Sequence, residues 1–91
     1  MDEKIINTSL TELGRTKRRL DKLIQAERCH LAFLERSADS CWDYPGADEK
    51  YELYTNKMQE IEDRIRELVD IIDNIGYVIG KIKSIEKTES H

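Results

Sequence analysis

Ten positions in the second half of the chain restrict its folding more than any other feature. Tyr51, Tyr54, Met58, Ile61, Ile65, Leu68, Ile72, Ile75, Ile79 and Ile82 recur in alternating steps of three and four. Such steps return side chains to one stripe of a helix every 3.5 residues, and a repeat this long without a lapse specifies a coiled coil. A helix with one such stripe must lay it against another helix.

The first half supplies that helix. Ile6, Leu10, Leu13, Leu20, Ile24, Leu31, Leu34, Ala38 and Cys41 follow the same steps, and Lys17 and Glu27 fall on the same stripe. A helix over 4–41 is predicted, with Ser9 and Glu12 offering a later start as a capping box. Asp39, Ser40, Asp43, Tyr44, Pro45, Gly46 and Asp48 then crowd together. Pro45 disfavours helix at Tyr44 and Gly46 permits a tight turn, so a turn over 42–47 precedes a second helix over 48–87, capped by Asp48 or Gly46. Two long helices with so short a connection run antiparallel. The expected fold is all-α: a single domain, 1–91, forming a long antiparallel helical hairpin.

With the turn near residue 45, position i faces roughly position 90 minus i. Lys17 then comes near Asp70 and Asp73, and Glu27 near Arg64. Each polar interruption of the first stripe meets an opposite charge, and such pairs act as register locks because a slipped register leaves each charge unpaired. Lys17→Glu is therefore expected to lower the melting temperature more than Lys57→Glu.

A hairpin buries one seam, yet Val69, Ile71, Val78 and Ile85 are apolar outside it. Burying an aliphatic side chain is worth ~1.5–3 kcal/mol, which favours self-association. The expectation is a homodimeric four-helix bundle formed by the half of the hairpin near the chain termini. Phe33 lies off the stripe and Tyr77 on the outward face of the second helix, so these two, with Ile71 and Val78, are the candidates for binding an unidentified protein partner. Trp42 and Tyr44 are expected to cover the closed end. Gly76 and Gly80, four apart, either admit a close helix contact or loosen the helix at ~1 kcal/mol each.

Chemistry finds little support. The net charge of -4 does not suit nucleic acid, and the run Arg15, Lys17, Arg18, Arg19, Lys22 is flanked by Glu12 and interrupted by Asp21, with no aromatic residue to stack on bases. It reads as a solvated helix face. Cys29 and Cys41 would stand about 18 Å apart on one helix, too far for a disulfide. Cys29 and His30, adjacent and so on different sides of a helix, and the distant Cys41 and His91 lack metal spacing, and the group lacks a serine or acid arrangement suited to nucleophilic catalysis. No catalytic, cofactor or metal residues are expected, and the chain is not expected to be an enzyme. No apolar run approaches the ~20 residues of a membrane span and no signal-peptide pattern opens the chain, so a cytoplasmic protein is expected.

Leu20, Asp21, Ile24, Leu31, Leu34 and Ala38, then Asp48, Ile61, Ile65, Leu68, Val69, Asp70, Ile72 and Ile75, resemble the coiled-coil half of small Gram-positive phage transcriptional regulators. Only Gly76 to His91 follow, too few for that family's C-terminal helix-turn-helix. The resemblance implies a truncated relative or a phage-type accessory regulator or inhibitor that binds another protein. Length and Trp42 at the turn are also similar to the Trp-X-Gly hairpin proteins of type VII secretion, with Tyr44 where that family has its glycine. That resemblance implies a secretion partner or helper. Ile65 to Lys83 looks faintly like the first helix of all-helical chorismate mutases, which binds two carboxylates with basic side chains, but Asn74 to Tyr77 supply no arginine for that role.

Overall fold

The computed structural model describes residues 2–89, with side chains through Lys87. Helix α1 spans Glu3–Ser40, a short 3₁₀ turn spans Cys41–Asp43, and helix α2 spans Ala47–Glu89. No strand occurs among the described residues. The two helices fold back on each other as a hairpin of 70 × 14 × 13 Å. Both short dimensions match the breadth of two packed helices, as expected when the pair winds about a common axis.

Local chemistry sets the ends of each helix. Asp2 is extended and its carboxylate accepts the Lys4 N–H at 3.0 Å, so α1 starts from Asp2 and Ser9 lies within it. At the other end the Tyr44 N–H donates to the Cys41 carbonyl at 3.2 Å, and Tyr44 is extended ahead of Pro45. Gly46 has φ 75°, in the left-handed region open to glycine, and its carbonyl accepts the Lys50 N–H at 3.2 Å. Gly46 therefore caps α2, while Asp48 and Glu49 lie in the first turn, where acids complement the helix dipole.

Packing follows the repeat. Ile6, Ile24, Leu34 and Ala38 of α1, with Cys41, are buried against a stripe on α2 in which Ile61 is 0% exposed. The remaining α2 positions from Tyr54 to Ile82 are half-buried, and so are Leu10, Leu13, Leu20 and Leu31. Half-burial is what a two-helix seam allows, since each stripe has cover on one side only. Tyr51 departs from the pattern at 41% exposed, because α1 ends at Ser40 and leaves no helix opposite it.

The two polar stripe residues behave differently. Arg64 Nη1 donates to Glu27 Oε1 at 3.0 Å across the seam, within one residue of the expected opposition. Lys17 is exposed and makes no ion pair with Asp70 or Asp73. The expected Lys17 lock is thus absent: a lysine at the margin of a narrow seam keeps its ammonium hydrated more cheaply than in a fixed pair. Trp42 and Tyr44 do not cover the closed end either, at 54% and 62% exposed. Two helices leave little surface at the turn for large rings to bury against, and Trp42 finds only one-sided cover on the Tyr51 ring.

Candidate interaction face

In an antiparallel pair, the rows immediately preceding each opening stripe position lie along a common edge. On α2 that row is Lys57, Arg64, Ile71, Val78 and Ile85, and on α1 it is Ser9, Thr16, Leu23, His30 and Ser37. The next row out on the same side is Ile5, Glu12, Arg19, Ala26 and Phe33 on α1, with Leu53, Glu60, Glu67, Asn74 and Lys81 on α2. Ile5, Leu23, Phe33, Leu53, Ile71, Val78 and Ile85 all belong to these rows, and their exposure runs from 40% to 68%. Away from the turn, the exposed large apolar side chains therefore share one side of the hairpin, with Tyr77 outside the group.

The opposite edge is polar. Asn7, Gly14, Asp21, Arg28 and Glu35 run along it opposite Thr55, Glu62, Val69, Gly76 and Lys83. Val69 is half-buried there, so the seam separates it from Ile71, Val78 and Ile85, which stand together. Phe33 is 57% exposed on the apolar side but in the half nearer the turn, and Tyr77 is 66% exposed on the outermost line of α2. The Lys81 ammonium sits 5.3 Å from the Tyr77 ring centroid, a cation–π contact that accounts for part of the ring's environment. A Cβ added at Gly76 or Gly80 meets nothing within 4 Å, so neither glycine admits a close approach inside the hairpin.

At the turn, the Trp42 and Tyr51 ring centroids lie 5.0 Å apart at 35°, and Lys50 Nζ lies 5.7 Å from the Tyr44 ring. Ser37, Ser40, Cys41, Tyr44, Lys50 and Tyr54 line an open hollow of about 230 Å³ beside them. Cys41 is buried, with its thiol donating to the Ala38 carbonyl at 3.0 Å, whereas Cys29 is exposed on the outward line of α1. No three His, Cys, Asp or Glu residues come together as metal ligands among the described residues, and His91 lies outside them. Arg15, Arg18, Arg19 and Lys22 share the outward face of α1, where Arg15 pairs with Glu12 at 3.2 Å.

The sequence singled out Ile71, Val78 and Ile85 as apolar residues off the stripe, and the exposed Leu23, Ile5 and Leu53 lie on the same side without having been singled out. The signal was present: once both stripes are in register, these three fall on the same side as the α2 row. Reading each helix alone hides it.

The fold and this face define a class of protein, a two-helix antiparallel coiled-coil hairpin with one apolar and one polar side. Beyond the class, no family model matches the chain, and neither the curated proteins nor the solved structures give a match. No described helix is long and apolar enough to cross a membrane.

Proposed function

We propose that this hairpin is a non-enzymatic protein–protein interaction module, an accessory regulator or inhibitor of the phage or mobile-element kind that acts in the cytoplasm by binding another protein. One observation carries the reading: exposed aliphatic residues gather on one side of the molecule. Scattered singly they would need no explanation, but in a row they form the surface that association covers. The first occupant is a second copy, giving a homodimeric four-helix bundle through Leu23, Ile71, Val78 and Ile85. The heterologous partner then meets Phe33, in the half nearer the turn, or the outward Tyr77.

A second reading, a partner or helper in type VII secretion, draws on the exposed Trp42 at the turn, held against Tyr51 and available to another protein. Electrophoresis with a duplex DNA at physiological salt tests the protein-binding reading against a nucleic-acid-binding regulator. Free migration of the DNA is expected. Salt-sensitive retention would overturn the protein-binding reading and move attention to the outward bases of α1.

A further inference from the structure

We infer that the second copy docks end for end with the first, overlapping it only in the halves away from the turns, with the two-fold axis passing beside Thr16 and Val78. This rests on the self-association reading above and gives that dimer its geometry.

The inner rows of the apolar side change character midway. Away from the turn they read Ser9, Thr16 and Leu23 against Ile85, Val78 and Ile71; nearer the turn they read His30 and Ser37 against Arg64 and Lys57. Stacking two hairpins with their turns at the same end sets every residue level with its own copy. Arg64 and Lys57 of both chains, each already paired with one carboxylate of its own helix pair, would then crowd one interior, where like charges lose hydration that no further partner offsets. The same arrangement joins the two turns. Residues 39–52 carry five acids and one base, which equals the net -4 of the whole chain, so two strongly acidic ends would meet.

Turning one hairpin end for end removes both conflicts. Arg64 and Lys57 stay in water, and the acidic turns point away from each other. Val78 then lies beside Val78 of the copy, Ile71 beside Ile85 of the copy, and Leu23 beside Ser9 of the copy with Ile5 of the copy one turn beyond, so aliphatic side chains of α2 meet aliphatic ones and Leu23 meets a small one. The rim becomes complementary as well. Glu12 and Arg19 stand seven residues apart on one line of α1, on either side of Thr16. The two-fold operation brings Glu12 of each chain level with Arg19 of the other, and the exposed Glu12–Arg15 pair within one helix is weak enough to exchange for it.

Small-angle X-ray scattering of the full chain tests this, because it reads mass and length together. Ala47 lies 31 residues from Val78 in α2, about 47 Å at ~1.5 Å per residue, so the proposed dimer is close to 100 Å long. A dimer stacked turn to turn keeps the 70 Å of one hairpin. Twice the monomer mass with a length near 100 Å is the expected result. Twice the mass with a length near 70 Å would overturn the arrangement while leaving self-association intact, and a monomer mass would overturn both. Val78→Cys in a Cys29→Ser background gives an independent readout. Oxidation should link most of the chains as dimers through residue 78, and failure to link while the mass stays doubled would contradict an axis at that residue.

Discussion

Arg64 Nη1 reaches Glu27 Oε1 at 3.0 Å although the two residues are 37 apart in sequence, an ion pair that joins the two helices among the described residues. It marks the register but contributes modestly. The Arg64 side chain is 50% exposed, and the other Glu27 oxygen, Oε2, is buried with no hydrogen-bond partner. A half-satisfied carboxylate at a seam position offsets most of what the pair gains.

Replacing Glu27 with Leu should therefore raise stability by about 1 kcal/mol, since an aliphatic side chain fills the stripe and no orphaned oxygen remains. Arg64→Ala should lower it by about 1 kcal/mol, because the carboxylate then loses its only partner. Chemical denaturation with linear extrapolation measures both. A Glu27→Leu variant less stable than the parent would mean that the pair itself holds the hairpin.

Lys17 occupies the equivalent kind of position without a partner. Lys17→Leu should stabilise the hairpin by roughly 1 kcal/mol, as the stripe of α1 becomes continuous from Leu13 to Leu20. Lys17→Glu and Lys57→Glu should differ little in melting temperature, because Lys57 is tied only to Glu60 at 3.4 Å on the surface. A much larger loss for Lys17→Glu would show that it is paired with Asp70 or Asp73 in solution.

These two residues show what could be read from sequence alone. The stripes were legible because seam burial follows the seven-residue period directly, and the stripes with the turn position placed Glu27 near Arg64. Lys17 was not legible, since a charge at the margin of a narrow seam chooses between a partner and water by small differences that spacing does not encode. Trp42 and Tyr44 were misplaced for a related reason: an open hairpin end gives large rings only one-sided cover, as Tyr51 gives Trp42, and leaves both mostly in solvent. Val69 and Ile71 are two apart in sequence, yet they lie on opposite edges, a distinction that appears only when the stripe between them is fixed.

Glycines separate helix propensity from packing. A Cβ at Gly14, Gly76 or Gly80 meets nothing within 4 Å, so each change to Ala should stabilise by up to ~1 kcal/mol. For a chain of this size that is about 4–8 °C per substitution in thermal unfolding. Gly46→Ala should do the reverse, because φ 75° strains an L side chain. A loss of stability at Gly76 or Gly80 would reveal a neighbouring backbone that approaches them in the assembly.

Ile61 tests where the seam is strongest. It is fully buried, so Ile61→Ala should cost about 2–4 kcal/mol, enough to unfold much of a marginal two-helix protein at 37 °C. Ile85→Ala, at a position 40% exposed, should cost far less in the isolated hairpin. Circular dichroism during urea titration in an Ile71→Glu background, where the hairpin is kept monomeric, distinguishes the two, and equal losses there would contradict the burial pattern.

The central claim is that the apolar side, in the half away from the turn, is covered by a second copy, and light scattering from sub-micromolar to millimolar concentration tests it most directly. The account predicts a mass near twice 10.7 kDa over most of that range. Ile71→Glu should restore the monomer mass without loss of helicity. A wild-type chain that stays monomeric at the highest concentration, or an Ile71→Glu variant that remains a dimer, would contradict it.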